Sequence, residues 1–157
     1  SFVEKLILDT EPLPKHLRGS LWLLWSGSMY ESASRGGEEY YWSILNAFDD
    51  QTTTATQQID RDVLRSFPSH PFFQTEEGTS LLKRILVAYS WHNPQIGYCQ
   101  SMNIVAAVFL LFIEEEECFF LLSSLCERLM PRCYVPTMLG ALIDQEVLNG
   151  LVEKHFP

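Results

Sequence analysis

"IDRDVLRSFP", residues 59–68, decides how this chain is read. At 100° per residue, Ile59 and Val63 fall on one helical face and Phe67 extends it, so that side packs inward. Arg65 lies off the stripe, toward solvent. Asp62 stands three residues earlier, within reach of its side chain. Pro68 biases Phe67 away from helical geometry, which places Arg65 close to the end of a short helix over 59–66. The stretch presents a guanidinium at a helix end, aimed by a carboxylate. Taken alone, such a pair is ordinary surface chemistry worth about 0–1 kcal/mol. Arg61 points further around the solvent side and lacks the same neighbour geometry.

A second stretch, "IGYCQSMN" at 96–103, bears on the same reading. Asn93-Pro94 breaks the helix before it, and Gly97 permits a tight turn. Gln100 then falls at the start of a very apolar helix. Its amide is both donor and acceptor, and helix N-termini favour anions such as phosphate. The plain alternative is that Gln100 and Asn103 satisfy backbone groups at the helix start.

Around these stretches the pattern is helical. Leu17, Leu21, Leu24 and Trp25 have helical spacing, with Gly27 as the stop. "SASRGGEE" (32–39) reads as a loop and "EYYWSILNAF" as a helix. "DDQTTTATQQ" (49–58) reads as a polar, mobile connector. Thr79 is the expected N-cap of "SLLKRILVAYSWH". "EEEECFFLLSSLCERLM" has acids in its first turn and Arg128 in its last, matching the helix dipole, and Pro131 ends it. "LGALIDQEVLNGLVEKHF" is a final amphipathic helix. No alternating strand, hairpin or repeat is present. The fold class expected is all-α, an irregular multi-helix domain, with residues 1–13 as a lead-in and 14–157 as the domain. Several helices are apolar over wide faces and need many neighbours, so the expectation is the front part of a larger helical domain.

Composition narrows the function. The 157 residues are 46% apolar and 20% charged, with a formal net charge of −9. That excess of acid argues against nucleic acid and anionic lipid, and mildly favours basic or neutral partner faces. The cysteines, at 99, 118, 126 and 133, form no C-x-x-C pair and read as buried, reduced thiols of an intracellular protein. No signal peptide opens the chain, and "IVAAVFLLFI" (104–113) is too short to span a bilayer.

The two stretches together resemble a known family. Ile59-x-x-Asp62-x-x-Arg65 resembles the I-x-x-D-x-x-R signature of the TBC-domain Rab GTPase-activating proteins. Tyr98-Cys99-Gln100 resembles that family's Y-x-Q signature, extended by Ser101-Met102-Asn103. Arg18-x-x-x-Trp22, after Pro12 and Pro14, resembles the R-x-x-x-W motif that opens the domain. The motifs occur in the family's order, and the resemblance runs from about Pro14 to the chain end.

The resemblance implies an entirely helical domain in which a Rab-family small GTPase docks. It implies that Arg65 is an arginine finger and Gln100 a glutamine finger, both supplied in trans. Asp62 then holds Arg65, Tyr98 supports the loop bearing Gln100, and Ile59 and Asn103 support the site. Arg18 and Trp22 are structural: Trp22 packs, and Arg18 binds nearby backbone or carboxylates. The protein is then a GTPase activator rather than an enzyme in its own right. It has no cofactor or metal of its own, since GTP and Mg²⁺ arrive on the partner. Its expected place is cytoplasmic, peripheral to endomembranes through the GTPase, in vesicle traffic. Two positions depart from the family's habit: Ser66 where threonine is common, and Ser101 where glycine is common. Positive φ at 101 would make that serine costly. The family's domain also continues past the point where this chain stops.

Other constellations are weaker. Cys99 with His92 lacks a third member for a nucleophilic triad. The acids Glu114–Glu117 are a solvated first helical turn rather than a metal site. His16, His70 and His155 are scattered. The rival from another class is a catalytically silent module of the same fold that binds a GTPase or another partner as a scaffold.

Overall fold

The segment "EEGTSLLKRILVAYSWH" carries apolar residues at i, i+3, i+4 and i+7, and the structure buries that stripe completely. Leu82, Ile85, Leu86 and Tyr89 are each at most 1% exposed. This helix is the hub on which the rest is arranged. The computed structural model describes residues 14–48, 51–135 and 137–156. The lead-in expected over 1–13 lies outside the described residues.

In chain order the helices are α1 (Lys15–Ser26), α2 (Ser28–Arg35), α3 (Gly37–Phe48), α4 (Thr54–Val63), a 3₁₀ turn (Pro71–Gln74), α5 (Glu76–His92), α6 (Met102–Leu110), α7 (Glu115–Ser124) and α8 (Leu139–His155). No strand occurs among the described residues, so the all-α expectation holds. The hub is α5, which packs against α3, α4, α6 and α7, while α7 also packs against α2 and α1. Between them lies a core of Tyr41, Met102, Phe119, Phe120 and Leu122, each at most 1% exposed. Burying an apolar side chain of this size contributes roughly 1.5–3 kcal/mol before entropy is counted. Glu115, at the head of α7, locks the layers. Arg84 of α5 donates to it through Nε at 2.7 Å and Nη2 at 2.9 Å, and the Tyr41 hydroxyl of α3 donates at 2.6 Å. Glu115 is thus a half-buried tie, and the acidic run is not only a solvated first turn.

Several local expectations need correction. The loop expected at 32–39 is helix on both sides of Gly36. Only Gly36 (φ 97°) and Gly37 (φ 58°) leave helical space to turn the chain. Tertiary contacts hold the rest helical: Ser32 donates to Glu116 at 2.8 Å, and Glu31 accepts from Ser123 and Ser124 at 3.0 and 3.1 Å. The connector expected at 49–58 is helical from Thr54. Thr53 and Thr56 cap each other, side chain to backbone, at 3.1 and 2.8 Å. A threonine at the third helical position does the work that glutamate usually does. Thr75, not Thr79, caps α5 by accepting from the Gly78 amide at 3.1 Å, and the Thr79 hydroxyl returns to the Thr75 carbonyl at 2.9 Å. The helix expected to run through Arg128 ends as α-helix at Ser124 and widens into a π turn, Leu125–Leu129.

Gly27 stops α1 as expected, at φ 70° with its amide on the Leu24 carbonyl. The buried side of α1 is Gly19, Leu23 and Ser26, while Leu17, Leu24 and Trp25 are exposed. Gly19 explains the choice of face. A Cβ there would stand 2.5 Å from the Phe112 carbonyl oxygen, so only glycine lets α1 close on that turn.

Candidate functional site

Helix α4 buries Ile59 (0% exposed) and Val63 (4%) and ends there, so Arg65 stands in the turn just after the helix. The turn is hydrogen-bonded throughout. The amides of Arg65 and Ser66 reach the carbonyls of Asp62 and Val63 at 3.2 and 3.1 Å. The Ser66 hydroxyl donates to the Asp62 carbonyl at 2.7 Å. Phe67 takes φ 46°, a left-handed exit from the turn, and the following Pro68 disfavours a continued helix there.

The Asp62 side chain is 2% exposed, and each of its oxygens is used. Oδ1 accepts from Arg65 Nη2 at 2.6 Å, and Oδ2 accepts from the Tyr98 hydroxyl at 2.7 Å. The arginine itself is 64% exposed. A pair so open to water contributes little to stability. What it does is orient: one nitrogen is fixed on a rigid, buried carboxylate, and the rest of the guanidinium projects outward. Burial, and then the bond to Asp62, push the Tyr98 hydroxyl well above its usual range, so it remains a donor.

Asn103, the first-turn residue of α6, ties the two motifs together again. Its amide donates to Ser66 Oγ at 2.7 Å and to the Asp62 carbonyl at 3.3 Å. Ser66 thus keeps the hydroxyl function at the position after the arginine. Gln100 is exposed and stands two residues before α6 begins at Met102, rather than at its first residue. Ser101 between them takes φ 86° and ψ −17°. Asp62, Arg65, Gln100, Ser101, Asn103 and Ile104 line one open cleft of about 230 Å³. The structure therefore brings Asp62, Arg65, Tyr98, Gln100 and Asn103 together, while Ile59 is buried in the core beneath them on α4. Sequence reading did not find the Tyr98–Asp62 and Asn103–Ser66 bonds, which span 36 and 37 residues, because no local signal marks such distant partners.

Arg18 and Trp22 are elsewhere. Trp22 stands edge-on to Phe112 at 5.0 Å and tilted against Phe109 at 5.8 Å. The Arg18 guanidinium lies over the Phe112 ring. Phe109 lies in the last turn of α6 and Phe112 in the turn just after it, both far from Asn103, so this motif anchors α1 and does not reach the cleft.

The other candidates separate. Cys99 Sγ contacts the Tyr134 carbonyl at 3.3 Å, and burial pushes its thiol up, the opposite of an activated thiolate. Cys99 and Cys133 are half-buried, while Cys118 and Cys126 are fully buried as expected. His92 bonds instead to the Tyr40 hydroxyl at 2.8 Å. Glu31, His92 and Glu127 bring ligand-type atoms within 4.8 Å of one another. Each is already engaged: Glu31 by Ser123 and Ser124, Glu127 by the Asn93 amide at 2.8 Å, His92 by Tyr40. They form a polar seam joining α2, α5 and the π turn. No helix among the described residues is long and apolar enough to cross a membrane.

Comparison with known proteins decides the family. The pattern of the Rab-GTPase-TBC domain covers residues 15–157, nearly all of the described chain. The chain belongs to the Rab-GTPase-TBC domain family. It is 46% identical over 145 residues to a protein of Emericella nidulans described as a GTPase-activating protein, covering 92% of this chain and 13% of that one. It is 34% identical to the GTPase-activating protein gyp2 of Schizosaccharomyces pombe, over 92% of this chain and 20% of that protein. Among solved structures, the Chlamydomonas flagellar RabGAP TBC domain superposes with a TM-score of 0.71 at 28% identity, over 85% of this chain and 51% of that chain. The TBC chain described here thus spans about half of that solved domain and a fifth or less of the two curated relatives.

Proposed function

We propose that this TBC chain accelerates GTP hydrolysis by a Rab-family small GTPase, placing Arg65 and Gln100 in trans at the partner's nucleotide. One observation carries the reading. A buried carboxylate, Asp62, fixes an exposed guanidinium with one oxygen and, with the other, the segment that bears an exposed glutamine. Family membership and relatives described as GTPase-activating proteins support it.

Hydrolysis of bound GTP is slow because charge grows on the phosphoryl oxygens while the attacking water is poorly held. A guanidinium in trans neutralises that charge, worth about 10³–10⁵ in rate or roughly 4–7 kcal/mol. Arg65 has its remaining N–H groups free of Asp62 and facing the cleft side. The Gln100 carboxamide can accept a hydrogen bond from the water through its carbonyl and donate one to an oxygen through its NH2. The shared carboxylate matters because both groups must arrive in one geometry, and misplacement by about 1 Å costs on the order of a hundredfold. GTP and Mg²⁺ belong to the partner, and the chain works where that partner sits, at the cytoplasmic face of endomembranes.

The test is single-turnover GTP hydrolysis across a panel of GTP-loaded Rab proteins, with the wild-type chain, Arg65→Ala and Gln100→Ala. Acceleration that falls at least about a hundredfold in each variant, with unchanged thermal unfolding, is the expected result. Equal acceleration by wild type and Arg65→Ala sinks the mechanism. Tight binding of a GTP-loaded Rab with no acceleration makes the chain a silent scaffold.

A further inference from the structure

Arg61 has no role in the mechanism above, yet the structure gives it an unusual position. It lies on the solvent face of α4, in a stripe with Thr54, Gln57 and Gln58 at helical spacing, and this stripe leads to Arg65. These four residues with Asp62 and Arg65 line a second open cleft, of about 390 Å³, on the other side of the arginine finger. The neighbouring carboxylates are both taken: Asp60 by Lys83 at 2.6 Å, and Asp62 by Arg65 and Tyr98. Arg61 makes no ion pair among the described residues. The chain carries 20 acidic residues against 11 lysines and arginines, so a guanidinium left unpaired beside two acids, in the cleft that contains the finger, is a local reversal of the surface charge.

We propose that Arg61 is a docking residue that pairs with a carboxylate on the GTPase surface bordering the bound nucleotide. The inference rests on the activator reading and names the partner chemistry beside its finger. A carboxylate fits better than a phosphate for a geometric reason. Arg61 lies in the last turn of α4 and Arg65 in the turn just after the helix ends, so the Arg61 backbone is set back from the finger by about one turn of chain. With Arg65 at the transferred phosphoryl group, Arg61 faces protein rather than nucleotide. The Gln57 and Gln58 amides beside it offer hydrogen bonds to the same segment. A charge pair at such a rim governs encounter rate and salt dependence, not the chemical step.

The experiment uses the full chain and one Rab-type GTPase that responds in the panel above. It reads KM and kcat, and separately the affinity for the same GTPase loaded with a non-hydrolysable GTP analogue, at several salt concentrations. Arg61→Ala is expected to raise KM and the dissociation constant about fivefold, and Arg61→Glu more, with kcat within twofold of wild type and a flatter salt dependence. A fall in kcat like that of Arg65→Ala assigns Arg61 to the phosphate and overturns the proposal, as does unchanged affinity in Arg61→Glu. If the wild type binds without accelerating hydrolysis, the activator reading fails while the affinity arm still decides Arg61. If the wild type binds no GTP-loaded member of the panel, both fail. Arg61 is exposed and unpaired, so both variants are expected to fold as wild type does.

Discussion

Ser101 holds φ 86° without glycine's freedom and with no side-chain hydrogen bond to the helix it precedes. A left-handed backbone costs an L-residue about 1–2 kcal/mol, and glycine gives back part of that through its larger unfolded-state entropy. Ser101→Gly is therefore expected to stabilise the chain by about 0.5–1 kcal/mol, read as a higher urea midpoint at constant m. A lower midpoint would mean that the serine hydroxyl contributes a bond that outweighs the strain. The residue scale also shows what a sequence yields. Asp62 and Arg65 were legible as partners because three-residue spacing on a helix brings side chains together. The Tyr98 hydroxyl on the same carboxylate was not legible, because nothing local in "IGYCQSMN" encodes a residue 36 positions away. The family resemblance picked out both motifs, while the physical link between them needed the fold.

At the scale of elements, the misread boundaries share a cause. Helices α2 and α4 begin or end in Ser, Thr and Gly, which favour turns on local grounds. Helix α2 is held instead by its packing on α7, and α4 by its Thr53–Thr56 cap and its packing on α5 and α6. Helix α5, with a clean apolar stripe, was legible to its end at His92 but was read one turn short at its start. Its last turn carries the seam around His92, whose ring is 4% exposed. Glu127 faces it from the π turn, Glu31 and Arg35 from α2, and Tyr40 from α3. Burial lowers the His92 pKa from its ordinary 6.5, with Arg35 lowering and the two glutamates raising it. The sign follows directly. The folded state holds the ring neutral, so between pH 6.5 and the lower folded value the unfolded chain binds more protons. Stability contributed by the neutral ring is complete above that window and is lost as pH falls through it. Denaturant midpoints measured from pH 8 down to about pH 5 are expected to drop below pH 6.5. His92→Gln is expected to be less stable at pH 7.5, because the Tyr40 bond is disturbed, and flatter below. An equally steep decline in that variant would place the titration on other groups.

At the scale of the whole molecule, stability is unevenly distributed. From α1 to α7 the helices share one core, in which α5 and α7 have several partners each. Helix α8 was legible as an amphipathic helix, and its apolar residues are where the periodicity puts them. What sequence could not show is that, among the described residues, this face is left half open: Leu142, Ile143, Val147, Leu148, Leu151 and Val152 are each 47–59% exposed. Among the described residues its ties to other elements are in its first turns, where the Gly140 amide donates to the Arg132 carbonyl at 3.0 Å and Asp144 approaches Cys133. A helix of 17 residues without a packed face is marginal in water, since most helical stability in proteins comes from tertiary burial. Amides from Ile143 to Val152 should therefore exchange with solvent by local opening, at least about a hundredfold faster than those of Leu82 to Tyr89, which need global unfolding. Hydrogen exchange followed by mass spectrometry at increasing protein concentration checks this. Equal protection of the two helices at every concentration would show that α8 is held by contacts within one chain. Protection of α8 that rises with concentration would show its apolar face covered by a second copy. Fast exchange at all concentrations leaves the site bearing Arg65 and Gln100 on the rigid part of the molecule, where α4, α5 and α6 converge, and leaves α8 as a surface that contributes nothing to holding that site in place.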